Sequence, residues 1–343
     1  MGGNFRIPHS PFRFPLLFGF ILLLVLPSLL LAQDPRLLRQ SRILMGTSVE
    51  ITVSQVDPKR AEASMEAAFQ EVERLNRLMS HYRPDSEVSQ ITQNAGKKKV
   101  RVSPETLEVI ERALYFSRLS EGAFDITIGP VFRLWNFREG KVPGEPVLKE
   151  NLARVDYRKI KIDRASSAVG LEDPRMELDL GAIAKGYAVD RACEVLKGRG
   201  IGNFLVNAGG DLKVGGEKGK GFPWTIGIQH PRLPSQFISK LRPKDSAVAT
   251  SGDYEKFFLK DGERYHHILV PSTGMPSRES QSVTILAPSA MDADALATAV
   301  FVLGPKKGFA LIEKMTGVHA IIVDRRGSVL LSPNWPAGVL LPP

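Results

Sequence analysis

A single cysteine, Cys193, is present among 343 residues, so no internal disulfide can form and the fold must hold by its core alone. It falls in a stretch patterned as a helix, where a lone thiol packs as a small apolar side chain; a thiol nucleophile is the sharper alternative. Paired Cys/His spacings and the H-E-x-x-H pattern are missing, which argues against a zinc site. There is no G-x-S-x-G elbow and no P-loop, so neither a hydrolase-type serine nor a Walker-type phosphate cradle is offered. The chain also lacks a concentration of one charge sign. Its formal charge is +9, with Arg6 and Arg13 near the N-terminus and a short run at Lys97 to Lys99. A nucleic-acid surface calls for a basic stripe with interleaved aromatics, and none is there; the lysine run reads as a solvated turn. Internal repeats and low-complexity tracts are missing too. With 43% hydrophobic and 24% charged residues, what remains is an ordinary globular protein of one large or two small domains.

One long hydrophobic run does exist, from Phe14 to Leu31, interrupted by Gly19 and Pro27. Arg6 and Arg13 precede it and small Ala32 follows, the shape of an export signal over residues 1–32. Leu30 departs from the small-residue cleavage rule, so an uncleaved membrane anchor is the alternative. The run contains no cysteine, which excludes a lipid attached at its end. The expected destination is the periplasm or the periplasmic face of the inner membrane. The expected organisation is a linker over 33–41, a body over 42–333 and a tail over 334–343.

Within the body, helices and strands interleave. Ile43 to Val53 alternates as a strand. Asp57-Pro58 caps a helix to about Met79, with Met65, Phe69, Val72, Leu75 and Met79 on one face. Ser103-Pro104 opens a second helix ending near Gly122, and a third runs from Ala182 to Lys197, closed by Gly198 and Gly200. A fourth spans Ser289 to Leu303 with Gly304 as its stop, and Pro305 begins a fifth that reaches Gly317. Further strands are expected over 204–207, 224–228, 246–250, 254–259, 265–270 and 282–286. Asp261-Gly262 joins two of them as a tight hairpin. The Pro/Gly-rich stretch from Gly140 to Pro146 reads as a surface loop or lobe junction. Hairpins among the strands predict an α+β fold with mixed, largely antiparallel sheets layered with helices.

The most informative segment is Met176 to Arg191, MELDLGAIAKGYAVDR. A strand-like stretch ends in Asp179, a turn follows at Gly181, and a helix opens with Lys185 in its first turns. Free N–H groups, a helix N-terminus and one cation around a point suit an anionic phosphate ligand. Far downstream, Asp294 and Thr298 lie one helical turn apart on one face. Two oxygen side chains at that spacing suit a hard cation such as Mg²⁺, which takes few protein ligands and completes its shell with phosphate and water. Gly122 to Asp125 and Asn207 to Asp211 are polar Gly-containing loops, each readable as a plain turn or as backbone making room for a ligand. His267 starts a strand-to-turn segment ending at Gly274; a strand histidine is structural as readily as catalytic.

In order along the chain, MGT (Met45 to Thr47), HYRPDSEVS (His81 to Ser89), GAFD (Gly122 to Asp125), LDLGAIAKGYAVD (Leu178 to Asp190), NAGGD (Asn207 to Asp211), HILVPSTG (His267 to Gly274) and DALATA (Asp294 to Ala299) closely resemble the ApbE family, the FAD:protein FMN transferases. The resemblance spans Ile43 to Leu331. It implies an exported α+β, ApbE-like (T-fold-like) protein that binds FAD as substrate together with Mg²⁺. The activity implied is transfer of the FMN half to a threonine or serine of a partner flavoprotein, with release of AMP. The partner implied is a redox-complex subunit or periplasmic reductase carrying a Ser/Thr-containing flavinylation motif. Carried over by position, it implies Met45 and Tyr82 at the flavin site, with Tyr82 against an aromatic ring. Ala123, Phe124, Asp125, Asp179, Lys185, His267 and Ile268 would contact the dinucleotide, and the Ala182 carbonyl, Asp294 and Thr298 would hold Mg²⁺. Asp294 or His267 would take the hydroxyl proton, with Lys185 adding positive potential; adjacent His266 competes with His267 for that role. Two other activities stay open: a Mg²⁺-dependent FAD pyrophosphatase using water, and a non-catalytic exported FAD carrier.

Overall fold

The computed structural model describes residues 37–333 and 335–342. The expected leader and the first part of the linker lie outside the described residues. Eight strands form one sheet, and their order across it is their order along the chain: Leu37–Leu44, Thr47–Ser54, Phe204–Ala208, Asp211–Gly215, Ala247–Gly252, Ser280–Ala287, His319–Asp324 and Val329–Leu331. Every neighbouring pair is antiparallel. The architecture is therefore a meander whose connections have grown into helices, small sheets and site loops, the α+β arrangement expected.

Period-two alternation explains why the sheet is covered on both faces. In the Ala247–Gly252 strand, Ala247 and Ala249 join the main core while Val248 joins a second cluster. Ile285 and Leu286, then Ile321 and Ile322, divide between the same two cores. Over the first face lie the Pro58–Met79, Ala184–Gly198 and Ala290–Ile312 helices, whose buried apolar side chains belong to the main core. Against the second lies a three-stranded sheet, in which Leu340–Leu341 and Ile226–Gln229 flank Phe237–Leu241, with Trp224 and Leu241 buried. A third cluster gathers Val131, Trp135, Leu148 and Leu269 with Phe137, Phe258 and Tyr265 around them.

Several sequence expectations change. The single strand over Ile43 to Val53 is a hairpin that turns at Met45 and Gly46, both at positive φ (52° and 73°). Its first strand begins at Leu37, within the stretch expected as linker, because the Thr47–Ser54 strand offers it an unpaired edge. The segment expected as a tail likewise contributes Leu340–Leu341 to the three-stranded sheet. Met176 to Asp179 makes no strand; Glu177 forms one parallel bridge with Ile128, and the Asp179 N–H donates to the Ile126 carbonyl at 2.8 Å. The strand expected over 265–270 is Glu263–His266, and the His267 N–H turns back to the Lys256 carbonyl. Helices at Glu87–Gln93, Gly129–Phe132 and Glu145–Leu152 were not anticipated.

Other expectations hold. Asp57 caps the Pro58–Met79 helix by accepting the N–H groups of Lys59 and Arg60, and Met65, Phe69, Val72, Leu75 and Met79 are all buried. Asp261-Gly262 turns the Phe257–Lys260 and Glu263–His266 hairpin with both residues at positive φ (53° and 77°), as a two-residue type I′ loop requires. The last long helix breaks at Gly304 (φ 72°, ψ 178°), next to Pro305. Cys193 is 2% exposed, and burial raises its thiol far above the ordinary range, so it packs and does not react.

Candidate active site

A cavity of about 360 Å³ opens where the connections of the meander meet, within the usual size of small-ligand pockets. All twelve residues singled out for a site border it: Met45, Tyr82, Ala123, Phe124, Asp125, Asp179, Ala182, Lys185, His267, Ile268, Asp294 and Thr298. The chain brings them from six separate segments. Asp211, His81, Thr47, Ser251 and Lys256 also border it, and motif inspection had given none of them a role.

At the cavity floor, two helices approach so closely that only glycine fits between them. A Cβ on Gly186 would sit 2.8 Å from the Met291 Cα and closer still to the Ala290 carbonyl. The approach lets the Gly186 N–H donate to Asp294 Oδ2 at 3.0 Å. Asp190 joins the two helices from the side, its Oδ2 accepting from the Met291 N–H and the Ser289 hydroxyl. Asp292 turns away from the cavity into a two-pronged ion pair with Arg112 (2.7 Å from Nε to Oδ1).

Lys185 pairs with Asp211 and lies 3.5 Å from Asp294. Asp211 and Asp294 are 3% and 4% exposed. Burial opposes charge on both carboxyls and pushes both up, Asp294 to about 7, with the nearby Asp211 adding to the rise and Lys185 pulling back. Burial also opposes the Lys185 ammonium, but the two acids outweigh it and hold it charged. Two buried carboxyl groups therefore face one cation, and a divalent ion beside them would favour their charged forms. Thr298 Oγ1, 3.3 Å from the Ser251 hydroxyl, lies on the same helix face as Asp294, and Ala182 stands at the start of the neighbouring helix. A carboxylate, a hydroxyl and a backbone carbonyl form a hard oxygen set that fits Mg²⁺.

The two adjacent histidines separate cleanly. His266 is 2% exposed, its Nε2 lies 2.8 Å from the Ser277 carbonyl, and its ring meets Phe301 edge-on. Burial lowers its pKa, and it stays a core residue. His267 borders the cavity, and its buried Nδ1 has no partner among the described residues. Burial first, then His266, push its pKa down to about 4, so the ring is neutral at neutral pH. Asp125, by contrast, spends both oxygens inside the protein: Oδ1 accepts from the nearby Thr127 N–H and hydroxyl (2.8 and 2.6 Å), Oδ2 from the N–H of Tyr157 in a distant segment (3.0 Å). Its part is to shape the Ala123–Phe124 loop.

The mouth is marked by strain and by an exposed ring. Met45, a non-glycine residue at φ 52°, holds a backbone conformation that costs of order 1–3 kcal/mol and persists where surroundings impose it. Tyr82 is 77% exposed, a large aromatic surface left uncovered on a cavity wall. A ligand ring laid on it would gain roughly 0.5–1.5 kcal/mol beyond burial alone.

The sequence model of the ApbE family matches residues 45–322. A Vibrio cholerae protein named FAD:protein FMN transferase is 36% identical over 279 residues, 78% of this chain and 82% of that protein. A protein of the same name from Treponema pallidum is 36% identical over 311 residues, covering 84% and 85%. The crystal structure of the ApbE protein of Thermotoga maritima superposes with a TM-score of 0.79 at 37% identity, over 87% of this chain and 97% of that one. With a family match across the body of the chain and relatives of this closeness, the chain belongs to the ApbE family.

Proposed function

We propose that this chain is an FAD:protein FMN transferase that moves the FMN half of FAD to a serine or threonine hydroxyl of an acceptor flavoprotein and releases AMP, with Mg²⁺ held by the Ala182 carbonyl, Asp294 and Thr298. The relatives above carry the transferase name. The observation that carries the reading to this chain is the cavity in which Lys185, Asp211 and Asp294 meet and which His267 also borders, its Nδ1 without a partner among the described residues.

In the reaction, the acceptor oxygen forms a bond to the phosphorus of the FMN half. The bond from that phosphorus to the bridging oxygen breaks, and AMP leaves with the electron pair. When bound, Mg²⁺ supplies Lewis-acid neutralisation of the phosphoryl oxygens. Lys185, held charged by Asp211 and Asp294, adds fixed positive potential at the same place, and such preorganised charge acts strongly where water is excluded. The hydroxyl proton goes to His267. Asp294 has Oδ2 engaged by the Gly186 N–H and Oδ1 facing Lys185, whereas His267 Nδ1 has no partner among the described residues. The N-terminal segment supports an exported enzyme working on the periplasmic side, and its acceptors would be redox-complex subunits or periplasmic reductases.

The test is stoichiometry. With FAD, Mg²⁺ and an acceptor domain, AMP should appear one-for-one with flavinylated acceptor, and both should stop on chelation. The exposed Tyr82 leaves the mouth open to water, so hydrolysis is the competing outcome. AMP and free FMN with acceptors unmodified would replace transferase by pyrophosphatase, and bound FAD with no product would leave a carrier.

A further inference from the structure

His81 takes no part in the chemistry above, yet it is built into the cavity wall. The Pro58–Met79 helix ends at Ser80, and the next two residues place their rings together, His81 and Tyr82 having centroids 3.9 Å apart and planes inclined by 42°. His81 Nδ1 lies 3.3 Å from Asp179 Oδ1, and that oxygen also accepts the Gly181 N–H at 2.8 Å. Asp179 is thus fixed through one oxygen, and His81 is fixed through one nitrogen. Asp179 Oδ2 and His81 Nε2 make no hydrogen bond within the described residues. Both side chains border the cavity and keep some exposure, 13% and 29%. Around the imidazole, Asp179 supplies the near negative charge and Lys256 a weaker positive influence. A protonated His81 with Nδ1 turned to Asp179 presents Nε2–H beside the carboxylate Oδ2, a donor next to an acceptor.

FAD, the substrate under the proposed function on which this inference rests, carries edges complementary to that pair. The adenine sets an amine donor beside a ring-nitrogen acceptor. The flavin sets its N3–H donor beside carbonyl acceptors. We propose that His81 and Asp179 act as one donor–acceptor edge that reads a base edge of FAD while Tyr82 covers the ring, making His81 a specificity-determining residue of the substrate site. A hydrogen bond to a charged partner lost in such a site lowers affinity roughly ten-fold or more.

The experiment is equilibrium binding by flavin fluorescence on the full chain, with three ligands. These are FAD, the dinucleotide in which hypoxanthine replaces adenine and reverses its donor–acceptor pattern, and FAD methylated at flavin N3. The wild type should bind FAD roughly ten-fold more tightly than one of the two analogues. Weak binding of the hypoxanthine compound assigns the adenine edge, and weak binding of the N3-methyl compound assigns the flavin edge. His81→Leu should bind FAD and that analogue alike, and His81→Gln, which keeps an N–H donor, should restore part of the preference. Equal wild-type affinity for all three ligands would overturn the proposal, as would discrimination that survives unchanged in His81→Leu. The wild-type comparison needs no variant, so a poorly folding substitution leaves the test intact. FMN transfer measured on the same preparation fails separately: discrimination without transfer would sink the proposed activity and keep this assignment.

Discussion

His267 shows how a single side chain is made useful by what surrounds it. Its Nδ1 is buried without a partner among the described residues, a costly arrangement that makes sense if an incoming hydroxyl supplies the missing proton. His267→Gln should therefore reduce FMN transfer by roughly 10²–10⁴-fold while FAD affinity stays close to the wild type. Equal transfer rates in the two proteins would remove it as the base. The depressed pKa also has a signature in stability. The folded value of about 4 lies below the ordinary 6.5, so between those values the unfolded chain binds a proton that the folded chain does not. The stabilising contribution of a neutral His267 is complete above 6.5 and is lost as pH falls towards and through about 4. Urea titrations of wild type and His267→Gln at both ends of that window should show the difference between them shift against the wild type at the acid end. A difference independent of pH would contradict the depressed value.

At the scale of elements, the contact between the Ala184–Gly198 and Ala290–Ile312 helices decides where Asp294 stands. Gly186→Ala forces a methyl against the backbone of Ala290 and Met291. Overpacking of this kind should cost roughly 1–3 kcal/mol, and displacing the Gly186 N–H from Asp294 should lower transfer as well. A variant with unchanged melting temperature and activity would show that the helices are not locked together there. The same scale shows what the sequence discloses. The Pro58–Met79 helix is legible because Asp57-Pro58 marks its start and five apolar residues repeat at helical spacing over 22 residues. The Glu87–Gln93 helix has 7 residues, too few for a period to show. Met176 to Asp179 has the composition of a strand, but pairing depends on a neighbour, and among the described residues its backbone meets one through a single bridge to Ile128 and the Asp179 N–H to the Ile126 carbonyl. The turn at Met45-Gly46 is concealed because methionine rarely takes positive φ. In the site, the twelve residues were legible through motif order, while the pairing of Lys185 with Asp211 and the inward turn of Asp125 were not. Both depend on hydrogen bonds between segments distant in the chain, which no local pattern encodes.

At the scale of the whole molecule, one sheet serves two layers with different tasks. The helical layer carries the cavity. The opposite layer, built on Trp224, Ile228 and Leu241, closes the other face with residues that do not border the cavity. Leu241 is 0% exposed, so Leu241→Ala should cost roughly 2–5 kcal/mol of stability and leave FAD affinity at wild-type strength in the folded fraction. A parallel loss of affinity would mean that the two layers are coupled through the sheet. The most direct measurement of the central claim is the intact mass of an acceptor domain, already shown to be flavinylated by another ApbE protein, after incubation with FAD, Mg²⁺ and this chain. The account predicts one added FMN with the wild type, and at least about a hundred-fold slower addition with Asp294→Asn. An acceptor left unmodified by the wild type, or modified equally by both proteins, would contradict it.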